Sequence, residues 1–156
     1  MIAGIVSVIL GSAGAVLVAG LAYLAAKYCG HLPKKWRVGR RTVSDIVLAL
    51  AIVAMLLAGV EMAYAGAGSW VVSILMWVRG LVGTAGGVIF ALLTLGMMLA
   101  VMVHVLKKPG EKGLMTAFLL PLFMATFSYG LFHNINAFLA PYAVHLTSAA
   151  TNALGV

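Results

Sequence analysis

Residues 46–65 read IVLALAIVAMLLAGVEMAYA, a run in which Glu61 is the one charged residue. A helix rises ~1.5 Å per residue, so about 20 apolar residues cross the ~30 Å hydrocarbon core of a bilayer. Soluble domains rarely contain an apolar run of this length, whereas a membrane helix requires one. The stretch therefore predicts a membrane-spanning helix, and the rest of the chain can be interpreted outward from it.

Three further stretches have the same character, at residues 2–26, 85–106 and 114–131, and none of them contains Asp, Glu, Lys or Arg. The chain of 156 residues is 64% hydrophobic and only 8% charged, whereas soluble domains carry about 25% charged residues. Apolar and polar residues do not alternate in these runs, as they would in a membrane β-barrel. We predict an all-α integral membrane protein with four transmembrane helices.

The positive charge is gathered in two short segments between these runs. HLPKKWRVGRR, residues 31–41, follows the first run, and KKPGEKG, residues 107–113, follows the third. Four alternating helices place both segments on one side of the membrane, and short basic loops stay in the cytoplasm. Both termini are then expected in the periplasm or outside the cell, with the protein in the bacterial inner membrane. Apart from Arg79, every basic residue lies on the predicted cytoplasmic side: Lys27, Lys34, Lys35, Arg37, Arg40, Arg41, Lys107, Lys108 and Lys112.

Two segments do not fit simple spans. Residues 69–83 are apolar but contain Arg79, so we predict an interfacial or lead-in helix, or an extension of the third span. Residues 134–156 contain a proline and several small polar residues and are predicted to form a C-terminal interfacial segment. The chain then divides into an N-terminal transmembrane hairpin, residues 1–66, and a second hairpin with its lead-in helix and tail, residues 67–156.

Few residues could carry out catalysis. The acids are Asp45, Glu61 and Glu111, and no two are close enough in sequence to indicate a carboxylate pair. Cys29 is the one cysteine, which excludes an internal disulfide or a thiolate metal cluster.

Histidine is the usual haem or metal ligand within a membrane bundle. His104 and His133 occupy neighbouring predicted spans, but antiparallel helices would hold them near opposite faces of the bilayer. We therefore predict no catalytic residue, no metal site and no cofactor other than phospholipid, and hence a non-enzymatic protein.

Glu61 is the most notable polar residue of the spans, because charges within a membrane usually face protein or water. Arg79 follows on the same side of the membrane. Two interpretations stay open: a Glu61–Arg79 ion pair, or a Glu61 carboxylate that reaches the outer headgroups.

Small residues indicate how the helices pack. Gly83 and Gly87 form a GxxxG pattern at the start of the third span, a spacing that lets helices approach closely in lipid. The pattern fits packing within one bundle, and it also fits packing between copies of the chain. We expect self-association through this face.

The basic segments predict contact with anionic phospholipid, which attracts each cytoplasmic Lys or Arg by ~1 kcal/mol near the surface. Trp36 would anchor the first segment in the interface. The alternative is that these charges only orient the helices, and no nucleic-acid site is evident. The residues expected to face lipid are Lys34, Lys35, Trp36, Arg37, Lys107, Lys108 and Lys112.

Residues 69–143 resemble the pilins and pilin-like membrane proteins of conjugative type IV secretion systems. The likeness lies in the order of a helical lead-in, a Gly-rich span, the short basic loop KKPGEKG and a second span. AYA at residues 63–65 also resembles the cleavage site of the long leaders that such pilins carry. The resemblance implies a self-associating subunit of a secretion or conjugation apparatus, with Lys107, Lys108 and Lys112 directed at phospholipid.

Two other functions compete with this one. The first is a small oligomeric channel, holin or transporter, with Glu61 or Arg79 in its path. The second is an accessory subunit of a larger membrane enzyme, which would pack and bind lipid without chemistry of its own.

Overall fold

The computed structural model describes residues 2–65, 68–107, 110, 112–127 and 130–155, with side chains from residue 13 onward except at 64 and 65. Helices dominate these ranges, and a short 3-10 turn, Cys29–His31, follows the first of them. The helices are α1 Ile2–Tyr28, α2 Val43–Ala65, α3 Gly68–Leu81, α4 Thr84–Leu106, α5 Lys112–Met124 and α6 Leu131–Leu154. Two short strands, β1 Arg37–Val38 and β2 Arg41–Thr42, lie between α1 and α2.

Within the described ranges, three helices are long and apolar enough to cross a membrane: Ala13–His31, Val43–Ala63 and Thr84–Leu106. They coincide with the first three predicted spans, so the prediction of a helical protein with membrane-spanning segments is confirmed at this level. The helices α3 and α5 are apolar but shorter.

The fourth predicted span, residues 114–131, does not form one helix: α5 ends within it and α6 begins at its last residue, Leu131. The first, α5, has 13 residues, about 20 Å of helix, which is shorter than a hydrocarbon core. The chain turns after Met124: both the backbone N–H and the hydroxyl of Thr126 donate to the Phe123 carbonyl oxygen, at 3.1 and 2.7 Å. Gly130 then adopts φ +89°, a conformation that glycine reaches without the steric penalty of a side chain.

The lead-in segment is a helix of its own rather than an extension of the third span. A turn at Val82 and Gly83 separates α3 from α4, and Gly83 has φ +69°. The C-terminal segment is more regular than its composition predicts. It forms the 24-residue helix α6, which contains Pro141 and ends at Gly155 with φ +67°.

The helix α2 lies at the centre and contacts each of the other five helices. It approaches α5 closely at Gly59, where an added Cβ would clash with the Phe118 carbonyl oxygen and lie 3.1 Å from Pro121 Cγ. Because Gly113 of α5 packs on Ile52 of α2, the two helices run side by side in the same direction.

The helix α6 crosses α2 from α5 to α1. Near its start, Asn136 Nδ2 donates to the Pro121 carbonyl oxygen at 3.0 Å, which also accepts from the Ala125 N–H at 2.9 Å. Near its end, Thr147 packs against Gly14 of α1, with 3.4 Å between Thr147 Cβ and an added glycine Cβ. Residues from both predicted hairpins therefore contribute to one hydrophobic core.

Candidate functional site

The basic segment between α1 and α2 folds into a cationic hairpin, here residues 32–42. Arg37 pairs with Thr42 and Val38 with Arg41 in antiparallel register. The two-residue turn includes Gly39, whose φ of +64° suits glycine at a tight hairpin turn. The helix α2 begins directly after this hairpin, where Thr42 Oγ1 accepts from the Asp45 N–H at 3.2 Å as an N-cap residue does.

The hairpin exposes most of the residues predicted to face lipid. Lys34, Lys35 and Arg37 are exposed, and Trp36 is 50% exposed. Lys34 and Arg37 line one cavity together with Thr42, Ser44 and Asp45. Lys35 and Trp36 are not among its lining residues, so the structure separates the four hairpin residues into two sets.

The second basic segment lies beside the end of α4. Lys107 lies at the end of an apolar groove with Leu106 and Met102 of α4, and Lys112 opens α5 and is exposed. Lys108 lies outside the described residues. His104 in the last turn of α4 packs against Gly113, with His104 Cβ 2.9 Å from the position of an added glycine Cβ.

Arg41 joins the two basic segments. Its Nη1 donates to the Val105 carbonyl oxygen at 3.0 Å, and its Nη2 donates to the Leu106 carbonyl oxygen. The last carbonyls of a helix have no partner within the helix and carry partial negative charge. Arg41 therefore caps the C-terminus of α4 and holds the hairpin at the same end of the bundle as the α4–α5 turn. Sequence reasoning missed this contact, because 64 residues separate Arg41 from Val105 and no local pattern links them.

Arg79 caps a second helix end in the same manner. Its Nη1 donates to the Thr126 carbonyl oxygen at 2.8 Å, just beyond the end of α5. The guanidinium also lies 4.7 Å from the centroid of the Phe127 ring, a favourable cation–π distance. Thr147 of α6 lies near the Glu61 side chain, and its hydroxyl donates to the Ala143 carbonyl oxygen at 3.0 Å. The Glu61–Arg79 ion pair stays a prediction.

The glycines of the GxxxG pattern lie in the corner between α3 and α4. Gly83 precedes α4, and an added Cβ there would meet nothing within 4 Å. An added Cβ at Gly87 would lie 3.4 Å from Arg79 Nη2, and one at Gly86 would clash with the Arg79 carbonyl oxygen. Gly86 and Gly87 therefore make room for Arg79 within the subunit, a role that the spacing alone does not identify.

The helix α4 has one buried side and one exposed side. Its buried residues are Gly86, Phe90, Thr94 and Val101, which share one face at helical spacing. On the opposite side, Leu92 is 65% exposed and Leu99 is 55% exposed, with an exposed Gly96 between them. We call Leu92, Gly96, Leu99 and Val103 the exposed α4 face.

The described residues include no group of three or more His, Cys, Asp or Glu side chains placed to hold a metal ion. Cys29 is buried, and its Sγ donates to the Ala26 carbonyl oxygen at 2.9 Å. Asp45 and Glu61 lie at opposite ends of α2, while Glu111 falls outside the described residues. Among the described residues, the two arginine contacts at helix ends, the cavity at the hairpin and the exposed α4 face are features that could carry a function.

Comparisons with protein-family models, with characterised proteins and with solved structures return no match to this chain. Its function is therefore inferred from its own residues.

Proposed function

We propose that the protein is a non-enzymatic, self-associating subunit of a bacterial inner-membrane assembly, of the pilin-like kind found in conjugation and type IV secretion. The observation that carries this proposal is the exposed α4 face. Lipid tails are as apolar as leucine, so helices associate in membranes by close packing at small residues rather than by the hydrophobic effect.

Gly96 is the small residue that fits this role. An added Cβ at Gly96 would meet nothing within 4 Å, so the helix backbone is open to a neighbour at this point. Leu92 and Leu99 flank it on the same face and are both more than half exposed. A second subunit could place a helix against the glycine and pack its side chains between the two leucines.

The proposal includes a fourth crossing of the membrane by α5 and the residues after it. Its support is the parallel course of α5 and the membrane-spanning helix α2, from the Gly113–Ile52 contact to the Pro121–Gly59 contact. It also includes a cytoplasmic location for the cationic hairpin, with both termini on the other side. Nine of the ten basic residues lie in or next to the two loops at the hairpin end, which favours that orientation.

The test compares two exposed glycines on different helices, of which only Gly96 belongs to the proposed interface. Gly96 of α4 and Gly20 of α1 are both exposed and would both accept a Cβ with nothing within 4 Å. We expect Gly96→Leu to shift the protein to smaller oligomers in mild detergent, measured by native mass spectrometry, because bulk at an interface separates the helix backbones. Gly20→Leu should leave the distribution unchanged.

Two outcomes contradict the proposal. Identical oligomers for the parent and Gly96→Leu would mean that the exposed α4 face meets only lipid, or a different protein. An equal loss of oligomers in both variants would mean that bulk in any span disturbs assembly. Gly83→Leu and Gly87→Leu are weaker tests, because the first substitutes a residue with positive φ and the second would displace Arg79 within the subunit.

A further inference from the structure

The cavity beneath the cationic hairpin has no role in the proposed self-association. It has a volume of about 430 Å³, and its lining includes Lys34, Arg37, Thr42, Ser44 and Asp45. Because α1 ends at Tyr28 and α2 begins at Val43, the cavity lies between the ends of two membrane-spanning helices. Phospholipid headgroups occupy this level of a bilayer.

The lining side chains favour an anion. Lys34 and Arg37 bring two positive charges, and Asp45 is the one acid among the lining residues. The Arg guanidinium offers a planar fork of donors and the Lys ammonium a compact positive charge, and both groups bind phosphate in proteins. Thr42 Oγ1 accepts the Asp45 N–H, which leaves the hydroxyl proton for a bound oxygen.

We propose that this cavity binds the phosphate group of an anionic phospholipid, with Arg37 and Lys34 on the phosphate oxygens and the Thr42 hydroxyl as a further donor. The proposed site includes only some of the basic residues of the segment. It uses Lys34 and Arg37 and leaves Lys35 and Arg40, which do not line the cavity, as general surface charge. The proposal does not depend on self-association, since the exposed α4 face lies on another helix.

The test is a titration of the delipidated full chain in mild detergent with dioctanoyl phosphatidylglycerol, followed by native mass spectrometry. Lys34→Gln/Arg37→Gln removes the two cavity cations, and Lys35→Gln/Arg40→Gln removes the same charge from the same hairpin. We expect the first double variant to raise the apparent Kd by about tenfold or more and the second by about threefold at most. Thermal stability equal to that of the parent in both variants would show that neither result reflects unfolding.

Separate arms identify the source of the phosphate. Dioctanoyl phosphatidylcholine should bind weakly, because its headgroup carries no net charge, and glycerol phosphate and inorganic phosphate should compete poorly. Full competition by either soluble phosphate would overturn the lipid assignment. Equal weakening of lipid binding in the two double variants would contradict the assignment of the site to the cavity, because lipid affinity would then depend only on net charge. If Lys34→Gln/Arg37→Gln does not fold, Arg37→Gln alone is compared with Arg40→Gln, and equal affinities for these two contradict the proposal.

Discussion

Gly86 and Gly96 are both glycines of α4, ten positions apart, and their surroundings differ completely. A methyl group at Gly86 would clash with the Arg79 carbonyl oxygen, which belongs to the backbone and cannot rotate away. At Gly96 the same group would meet nothing. The residue type is the same, but one glycine permits a contact within the subunit and the other leaves space beside it.

The matched substitutions Gly86→Ala and Gly96→Ala should therefore have different effects on the stability of the subunit. Overpacking costs about 1–3 kcal/mol, so Gly86→Ala should lower the thermal unfolding midpoint in detergent. Gly96→Ala should be neutral or slightly stabilising, because Ala is better than Gly in a helix by about 1 kcal/mol. Similar midpoints for the two variants would show that the α3–α4 corner does not depend on the absence of a side chain at Gly86.

At the scale of the elements, the side chains of Arg41 and Arg79 donate hydrogen bonds to backbone carbonyl oxygens at or just beyond the ends of helices. Arg41 binds the last carbonyls of α4, and Arg79 binds the Thr126 carbonyl just after α5. A carbonyl left without a partner near hydrocarbon is costly, and a cation also complements the negative end of the helix dipole. Two of the chain's few charged side chains therefore stabilise the C-terminal ends of helices.

Arg41→Gln should therefore loosen the last turn of α4, and Arg40→Gln is its control. Arg40 is the exposed neighbour on the same hairpin, so both variants lose one charge. Hydrogen bonds from charged groups are worth about 1.5–3 kcal/mol, which is about tenfold or more in an opening equilibrium. Hydrogen exchange at the amides of residues 103–107 should be faster by this factor in Arg41→Gln alone. Equal exchange in the two variants would argue against the cap.

At the scale of the whole molecule, the Arg41 cap has a consequence for topology. It holds the cationic hairpin and the α4–α5 turn at one end of the bundle, while Gly14 of α1 meets Thr147 and Thr151 of α6 near the other end. The proposed topology requires these two basic segments to lie at the same end of the bundle. The native Cys29 is not suited to measuring this orientation by thiol labelling, since it is buried.

Cysteine labelling in a Cys29→Ala background should reveal this orientation. A membrane-impermeant maleimide added to intact spheroplasts should modify Asn152→Cys, and should modify Arg40→Cys and Lys112→Cys only after lysis. All three native residues are exposed, and short basic loops remain cytoplasmic. Labelling of Arg40→Cys in intact spheroplasts, with Asn152→Cys protected, would reverse the proposed topology.

The amino-acid sequence by itself determined the three long apolar helices and the separate basic segments. These features depend on local composition and on spacing within one helix turn, which a reader of the chain can evaluate directly. The lead-in helix over residues 69–83 was predictable for the same reason. Its separation from α4 was left open in the sequence, because a turn at Gly83 depends on how the two helices pack.

Tertiary structure alone decided the partners of the charged and small residues. The sequence does not reveal that Arg41 meets α4, that Arg79 meets Thr126, or that Gly86 and Gly87 receive Arg79. Each of these contacts joins residues from different elements, and their geometry depends on helix rotation and depth, to which many distant contacts contribute. The division of the fourth predicted span has the same origin: α5 can end early because Asn136 and Thr126 supply polar contacts at its end. Apolar composition sets where a helix can lie in a membrane, whereas packing sets which of its faces remains free for a partner.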